Sequence, residues 1–408
     1  MEIHLLKSTI NKKSALIITG SKSESNRLLL LQALYPNVSI DNLSNSDDSV
    51  LMQRALGSED NLIDIHHAGT AMRFLTAYFS IQEGRSVVLT GSTRMKERPI
   101  KILVNALSDL GADISYLEND GYPPLQINGK KLNKSEVTLK ANVSSQYISA
   151  LLLIASRLEQ GLELTLDGKI TSVPYIKMTL NLLEQLGIET KFEGQTIRVK
   201  PYSNQQVDRT IIVESDWSSA SYFYSIVALS PLNTEVVLST YKEDSLQGDS
   251  VLAKVYKAFG VETRFEFNKI RLKKSEIVGG NSKIELDLSN APDIAQTIAV
   301  TAFGLGLECY LTGLHTLKIK ETDRLVALKI ELEKLGAKVV ITDATLHLKA
   351  ATSINSEVSI ATYNDHRMAM AFAPLGLKTS LKIENADVVS KSYPQFWDDL
   401  KALGFQLK

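Results

Sequence analysis

Charged and polar side chains stand where six apolar segments of this chain should begin as helices. The six starts are SKSESNR, HAGTAMR, NVSSQYI, ESDWSSASY, NAPDIAQ and YNDHRMA, and apolar runs such as FLTAYF or ISALLLIA follow them. Ser, Asn and Asp are typical N-cap residues. Other side chains go beyond what capping needs: Lys22, Arg27, Arg73, Gln146, Asp293, Asp365, His366 and Arg367. Because a helix N-terminus offers free N–H groups and the positive end of a dipole, this pattern predicts a site for phosphates and carboxylates.

Two loops add further charges of both signs. They are STRMKERP, with Arg94, Lys96 and Arg98, and KIKETDR, with Lys320, Glu321, Asp323 and Arg324. Each feature alone also has an ordinary structural interpretation, such as a solvated Lys22, a structurally paired Arg73 or a surface network of ion pairs around Glu321. The recurrence of these charges at the same place in a repeat favours a functional site.

An internal repeat would position these segments. Helices end in Leu-Gly or a close equivalent at six glycines, which are Gly57, Gly111, Gly187, Gly260, Gly336 and Gly404. Glycine suits the left-handed position that ends a helix. A strand-like run follows, and in several copies a hairpin signal such as Glu193-Gly194 comes next. The predicted unit is helix, strand, helix, strand, strand, present six times; the alternative is the scattered helix–glycine–strand junctions of any α/β protein.

Six such units exceed one hydrophobic core, so the repeat predicts two domains of three units each. We place the first, continuous domain at residues 20–213. The second, discontinuous domain combines residues 1–19 with 214–408, and the N-terminal strand MEIHLL completes it.

Composition excludes several classes of protein. With 44% hydrophobic and 22% charged residues, the 408-residue chain is typical of soluble globular proteins. A net charge of −1 gives no bulk attraction to nucleic acid or to an anionic membrane. The single cysteine, Cys309, excludes an intramolecular disulfide and a Cys-rich metal site, and fits a reducing cytoplasm. We find no P-loop and no HExxH motif, and the adjacent His66 and His67 would point to opposite faces of a strand.

The segments that carry these charges closely resemble the EPSP synthases of the enolpyruvyl transferase family. The matching segments include GSKSESNRLLLLQAL, HAGTAMR, RMKERPI, SSQYISALL, SDWSSASYF, PDIAQTIAV, KETDRL and YNDHRMAMAF, in family order along nearly the whole chain. The resemblance implies an α/β fold of two domains, each an inverted α/β barrel-like arrangement of three βαβαββ repeats. This agrees with the repeat count obtained from the glycines.

The resemblance also implies a reaction of the shikimate pathway. Phosphoenolpyruvate and shikimate 3-phosphate give 5-enolpyruvylshikimate 3-phosphate and phosphate, by addition and elimination through a tetrahedral ketal. These small molecules are the expected partners of a monomeric cytoplasmic enzyme that needs no metal or organic cofactor and binds neither nucleic acid nor membrane. Since both substrates carry several negative charges, we expect a cation-lined cleft that closes when shikimate 3-phosphate binds.

The family's functional residues carry over to matching positions. Those expected to bind shikimate 3-phosphate are Lys22, Ser23, Arg27, Ser144, Ser145, Gln146, Ser172, Tyr175, Asp293 and Lys320. Those expected to bind phosphoenolpyruvate are Lys22, Gly69, Arg94, Gln146, Arg324, Arg367 and Lys391. We assign Asp293 to deprotonation of the 5-hydroxyl and Glu321 to proton transfer at C3, with Lys22 as a further participant, because both steps need a positioned acid or base.

Three departures from the family pattern bear on substrate affinity and on inhibition by glyphosate-like compounds. His67 stands where Asn is common, Phe74 where Pro is frequent, and Thr316 where an Asn commonly contacts the shikimate group. Two alternative functions remain open at this point. One is the related transfer to UDP-N-acetylglucosamine, whose enzymes typically carry a loop Cys or Asp acid; the other is non-catalytic binding of a phosphometabolite.

Overall fold

The structure, a computed structural model, describes residues 1–141, 144–168, 170, 173–202, 208–279 and 282–408. The chain forms two compact units. The continuous unit is Ser21–Val213, and the discontinuous unit combines Met1–Gly20 with Glu214–Lys408.

The strands are short. In chain order they are β1 Ile3–Leu5, β2 Lys13–Ile17, β3 Val38–Asp41, β4 Leu62–Asp64, β5 Ser86–Thr90, β6 Asp113–Tyr116, β7 Leu125–Asn128, β8 Glu136–Lys140, β9 Leu162–Asp167, β10 Thr190–Glu193, β11 Thr196–Val199, β12 Arg209–Ile212, β13 Glu235–Ser239, β14 Val261–Glu266, β15 Lys269–Lys274, β16 Lys283–Asp287, β17 Glu308–Thr312, β18 Val339–Ile341, β19 Leu346–Leu348, β20 Val358–Ile360 and β21 Leu381–Ile383.

Helices alternate with these strands. They are α1 Lys22–Leu34, α2 Asp47–Gly57, α3 Gly69–Ser80, α4 Thr93–Lys96, α5 Lys101–Asp109, α6 Ser145–Ala155, α7 Val173–Gln185, α8 Trp217–Leu229, α9 Leu252–Val255, α10 Ala295–Gly304, α11 Arg324–Lys334, α12 His366–Phe372 and α13 Phe396–Leu403. Single 3₁₀ turns cover Gly248–Val251, Tyr256–Phe259, Pro292–Ile294, His315–Ile319, Ala373–Leu377 and Ala386–Lys391.

The four-stranded sheets of the continuous unit share one plan. Their strand orders are β4-β5-β7-β6 and β8-β9-β11-β10. In each sheet the first two strands are parallel and the last two form an antiparallel hairpin. A parallel pair needs a crossover, which α3 and α6 supply, whereas a hairpin needs only a short turn. A further parallel pair, β3 with β12, joins an early strand of the unit to its last one.

The discontinuous unit repeats the plan with strands from both ends of the chain. Its four-stranded sheets have the orders β2-β13-β15-β14 and β16-β17-β19-β18. The N-terminal β2 lies parallel to β13, with Ala15 opposite Val237. The first strand, β1, pairs antiparallel with β21, and Leu5 also bridges to Leu407, so that the first and last residues of the chain complete one sheet.

One type of helix is buried on nearly all sides. In α6 every residue from Tyr147 onward is buried, and α10 and α12 are buried almost throughout. Helix α3 packs against α1 and α6, and α10 packs against α8 and α12. The other type, such as α5, buries one face only. Full enclosure explains the apolar runs of the first type, and amphipathic packing explains the pattern of the second.

The repeat glycines behave as predicted at five of six positions. Gly111, Gly187, Gly260, Gly336 and Gly404 have φ values of 107°, 86°, 74°, 100° and 111°. The prediction is wrong at Gly57, which is the last helical residue of α2. The extended Ser58 that follows, with φ −83° and ψ 140°, ends the helix without a left-handed residue.

Among the described residues, no helix has the length and apolar character needed to cross a membrane.

Candidate active site

Arg27 lies inside the continuous unit, only 2% exposed, on the second turn of α1. Its Nε donates to Thr179 Oγ1 at 2.7 Å, its Nη1 to the Ser23 carbonyl at 2.6 Å and its Nη2 to Ser149 Oγ at 2.9 Å. These hydrogen-bond acceptors are all neutral. Burial lowers the pKa of Arg27 to about 10, against the smaller opposing effects of Tyr175 and Glu24. A buried guanidinium held by neutral oxygens would be stabilised by an incoming anion.

Aromatic rings complete the surroundings of Arg27. Its guanidinium carbon lies 5.4 Å from the ring centroid of Phe74 on α3 and 6.0 Å from that of Tyr175 on α7. Both distances are within the range of cation–π contacts. The N-terminal halves of α1, α3 and α7 therefore meet at this one cation, together with Ser149 of α6. Phe74, one of the departures from the family pattern, is buried, and its ring contacts the Arg27 guanidinium.

Lys22 begins α1, where Ser21 Oγ accepts a hydrogen bond from the Glu24 amide. The Lys22 ammonium lies 3.5 Å from Asp48 Oδ2, and the two side chains are 18% and 9% exposed. The interpretation of Lys22 as a solvated surface lysine is therefore wrong. Asp48 was not among the predicted site residues, since nothing in its local sequence connects it with α1.

The start of α3 is built around a glycine. A Cβ on Gly69 would lie 2.5 Å from Arg98 Nη1, so the absence of a side chain lets the Arg98 guanidinium approach the helix. Arg73 donates to the carbonyls of Gly69 at 3.0 Å and Pro99 at 3.2 Å, and it is 4% exposed. Arg73 therefore connects α3 to the loop between α4 and α5, and Arg98 of that loop lies beside the predicted site residue Gly69.

The start of α6 carries three predicted residues. Ser144 is the N-cap, and its Oγ accepts from the Gln146 amide at 3.4 Å, while Ser145 is the first helical residue. Gln146 Nε2 donates to Thr70 Oγ1 at 3.1 Å, which links the starts of α6 and α3.

Arg94, on α4, forms an exposed ion pair with Glu97 at 2.9 Å. Ser172 lies outside the described residues.

A second group of charges lies in the discontinuous unit. We call it the Arg324 cluster, and its members are Asp293, Lys320, Glu321, Arg324, Asp365 and Arg367.

Arg324, the first residue of α11, binds three carboxylates while only 2% of its side chain is exposed. Its Nε donates to Asp365 Oδ2 at 2.6 Å, its Nη1 to Asp293 Oδ1 at 2.8 Å and its Nη2 to Glu321 Oε2 at 2.8 Å. Burial acts to lower the pKa of Arg324, but the three carboxylates outweigh it and hold that pKa above its usual value. The interpretation of Glu321 as part of a surface network is thus wrong.

Asp293 faces three cations. Its Oδ1 lies 2.8 Å from Arg324 Nη1 and 3.5 Å from Lys320 Nζ, and its Oδ2 lies 3.4 Å from Arg367 Nη2. Burial acts to raise the pKa of Asp293, but Arg367, Lys320 and Arg324 together hold it well below its usual range. The Asp293 side chain is 16% exposed, so the carboxylate form that these cations favour remains partly accessible.

The start of α12 completes the cluster. Asp365 is its N-cap and accepts from the Arg367 amide at 2.9 Å. The Arg367 side chain returns to the cluster, where Nη1 donates to the Asp293 carbonyl at 3.1 Å and Nη2 to Ser218 Oγ at 3.3 Å. Lys391 Nζ donates to the carbonyl of Asn364, just before the helix, at 3.3 Å.

Several features outside the predicted set gain a structural role. Asp365, one of the charged residues noted at the predicted helix starts, accepts from Arg324. Ser218 accepts from Arg367, and the polar start of its helix was the signal that could have identified it. His66 and His67 lie in a turn after β4 and not on a strand, and Ser92 Oγ lies 2.7 Å from His67 Nδ1. Cys309 is buried, and burial raises the pKa of its thiol to about 12.

Comparison with known proteins places this arrangement in a family. The family model for EPSP synthase (3-phosphoshikimate 1-carboxyvinyltransferase) matches residues 53–400. A protein named 3-phosphoshikimate 1-carboxyvinyltransferase from Bacteroides fragilis is 45% identical over 410 residues, which covers 99% of this chain and 98% of the relative. One of the same name from Mannheimia succiniciproducens is 36% identical, with 95% of each chain covered.

Solved structures agree in fold. An EPSP synthase from Acinetobacter baumannii superimposes with a TM-score of 0.80 at 21% identity, covering 100% of this chain and 99% of that one. The enolpyruvyl transferase NikO from Streptomyces tendae gives a TM-score of 0.75 at 13% identity, covering 100% and 98%. With a full-length relative at 45% identity and a family model that spans most of its length, this chain belongs to the EPSP synthase family.

Proposed function

We propose that this protein transfers the enolpyruvyl group of phosphoenolpyruvate to the 5-hydroxyl of shikimate 3-phosphate, giving 5-enolpyruvylshikimate 3-phosphate and phosphate. The observation that carries the proposal is the Arg324 cluster, in which two partly accessible carboxylates, Asp293 and Glu321, bind the same guanidinium. Lys320 and Arg367 lie beside them. A reaction of two multiply charged anions that requires proton transfers in both directions needs this combination of cations and carboxylates.

Each unit supplies part of the predicted binding set. In the continuous unit, Lys22, Arg27 and Gln146 stand on α1 and α6 with the helix starts around them. In the discontinuous unit, Arg367 lies at the start of α12, and Lys391, from the 3₁₀ turn Ala386–Lys391, donates to the carbonyl of Asn364 just before it. Arginine suits phosphate and carboxylate because its planar fork donates two parallel hydrogen bonds.

Asp293 is the proposed base for the first step. The 5-hydroxyl oxygen bonds to C2 of phosphoenolpyruvate, the hydroxyl proton passes to the Asp293 carboxylate, and C3 receives a proton from Glu321 to become a methyl group. In the ketal that results, C3 returns a proton to Glu321, the bond from C2 to the phosphate oxygen breaks, and phosphate leaves with the proton that Asp293 had taken up. Lys22 is a further proton donor or acceptor in this scheme.

The low pKa of Asp293 has a consequence for this assignment. A carboxylate held ionised by three cations is a weak base until those cations are neutralised. Substrate phosphate and carboxylate groups at Lys320, Arg324 and Arg367 would neutralise them and raise the pKa of Asp293 towards a useful range. The base would therefore become effective only when the substrates are bound.

Phosphate release from phosphoenolpyruvate tests the function, with shikimate 3-phosphate and UDP-N-acetylglucosamine supplied as separate acceptors. We expect release with shikimate 3-phosphate alone. Release only with the sugar nucleotide would show that the acceptor was assigned wrongly. Absence of release with either acceptor, in a folded protein that binds phosphoenolpyruvate, would indicate a binding protein instead.

Cytoplasmic location and a monomeric state are further parts of the proposal. A single, buried thiol supports a reducing compartment, and the near-zero net charge supports small molecules rather than nucleic acid as partners. Light scattering coupled to size-exclusion chromatography would test the monomer directly.

A further inference from the structure

Asp249 is a buried carboxyl group beside the Arg324 cluster, and the proposed mechanism does not use it. It lies in the 3₁₀ turn Gly248–Val251 and is 3% exposed. Its Oδ2 accepts a hydrogen bond from Ser218 Oγ, on the first turn of α8. Its Oδ1 is also buried and has no hydrogen-bond partner among the described residues. A buried carboxyl group with one oxygen unsatisfied is costly to keep, so its presence calls for a role.

Ser218 connects this carboxyl group to Arg367. The Ser218 hydroxyl donates to Asp249 and accepts from Arg367 Nη2 at 3.3 Å. The same Nη2 lies 3.4 Å from Asp293 Oδ2, and Nη1 donates to the Asp293 carbonyl at 3.1 Å. Because the guanidinium is planar and rigid, contacts at both of its terminal nitrogens fix the orientation of its plane.

We propose that Asp249 is a positioning residue, which through Ser218 fixes the Arg367 guanidinium in the orientation that faces Asp293 and receives the phosphoenolpyruvate anion. The proposal rests on the proposed function, in which Arg367 binds that substrate. Asp249 touches neither substrate in this scheme and acts only through the side chain of Arg367.

The charge of Asp249 is part of this role. The charged groups that face it are Arg367 of α12, Asp293 of the turn before α10 and Asp216, the N-cap of α8, together with the Ser218 hydroxyl. Burial and Asp293 raise the pKa of Asp249 to about 6, against Arg367 and Ser218, which lower it. Above that pH the carboxylate attracts Arg367 and accepts from Ser218; below it the attraction is lost. Affinity for phosphoenolpyruvate should therefore fall as the pH decreases through about 6.

Asp249→Asn tests the proposal, because it keeps the shape and an acceptor oxygen but removes the charge. We expect the KM for phosphoenolpyruvate to rise about tenfold at pH 8, while the KM for shikimate 3-phosphate changes by less than about twofold. The decrease of kcat/KM for phosphoenolpyruvate near pH 6 should become flatter in the variant. Asp398→Asn, which removes an exposed carboxylate from α13, is the matched control.

Ser218 gives a second test that leaves Asp249 in place. Ser218→Ala should raise the KM for phosphoenolpyruvate in the same way, and Ser218→Thr, which keeps the hydroxyl, should restore it. Thermal unfolding of each variant checks that the fold is intact. If Asp249→Asn does not fold, the comparison of Ser218→Ala with Ser218→Thr decides the question.

Three results would overturn the proposal. The first is an unchanged KM for phosphoenolpyruvate and an unchanged pH profile in both Asp249→Asn and Ser218→Ala. The second is an equal loss of affinity for both substrates, with lower thermal stability and no change of pH profile. The third is failure of Ser218→Thr to restore the affinity for phosphoenolpyruvate. An error in the proposed function can be distinguished from an error in the role of Asp249, because the unmodified protein would then release no phosphate with shikimate 3-phosphate. Calorimetric titration with phosphoenolpyruvate in the presence of shikimate 3-phosphate would still report the effect of each variant on Arg367.

Discussion

Asp293 and Glu321 bind the same guanidinium, but Asp293 also faces Lys320 and Arg367. The extra cations keep Asp293 ionised, which is unsuitable for an acid and suitable for a base that acts after substrate anions arrive. Glu321 lies at the end of the loop that precedes α11, 18% exposed. At the scale of single residues, the two carboxylates of the cluster therefore differ in the number of cations around them, and this difference favours Asp293 as the base.

Glu321→Gln tests the assignment of the proton donor. If Glu321 transfers the proton at C3, the variant should release phosphate about 10²- to 10⁴-fold more slowly. Mass spectrometry after reaction in deuterated water should then find little deuterium at C3. Glu333→Gln on α11, whose carboxylate pairs with Lys329 at the surface, is the control. Normal deuterium incorporation in Glu321→Gln would contradict the assignment.

Asp293→Asn tests the pKa of the ionised carboxylate through stability. A carboxyl group whose pKa is lowered by folding stabilises the native state above its unfolded value of about 3.9, and this contribution is lost as the pH falls through the native pKa. The unmodified protein should therefore be more stable than Asp293→Asn at pH 7, and this difference should narrow below about pH 4. Urea unfolding at several pH values measures it. A difference that stays constant down to the lowest pH would speak against the depressed pKa.

At the scale of elements, the repeat glycines give a matched pair of positions. Gly336 has φ 100° and its nearest Cβ contact would be 3.5 Å away, so a side chain there meets backbone strain rather than a clash. Gly57 is helical and has nothing within 4 Å of an added Cβ. Two glycines that both follow leucine at a helix end thus differ in conformation: Gly336 has a positive φ, whereas Gly57 is helical.

Alanine substitutions should separate these two positions. Gly336→Ala should lower the free energy of unfolding by about 1–2 kcal/mol, because a left-handed conformation penalises Cβ. Gly57→Ala should leave it unchanged or raise it by up to about 1 kcal/mol, because alanine favours the helix. Denaturant unfolding of both variants makes the comparison, and an equal loss in the two would contradict it.

The element scale also shows what sequence could and could not predict. Polar caps before apolar runs predict the starts of α1, α6 and α8 well, because N-capping depends on residues only two or three positions apart. The resemblance assigned substrate-binding or proton-transfer roles to five members of the Arg324 cluster, Asp293, Lys320, Glu321, Arg324 and Arg367. The contact of Lys22 with Asp48, and that of Ser218 with Asp249, depend on packing of one helix against the next and leave no local pattern.

At the scale of the whole molecule, the residues assigned to each substrate come from both units of the chain. From these assignments we predict that the radius of gyration decreases when shikimate 3-phosphate binds. Small-angle X-ray scattering with and without shikimate 3-phosphate measures the radius of gyration, and inorganic sulfate at equal ionic strength is the control. An unchanged radius with the substrate would contradict the prediction.

The pairing of β1 with β21 has a consequence for synthesis on the ribosome. The continuous unit is complete once Val213 has been made, and it can fold while the rest of the chain is still being translated. Strand β1 is synthesised long before its partners, β21 and Leu407. The sheet that contains β1 can therefore close only after β21 and Leu407 have left the exit tunnel.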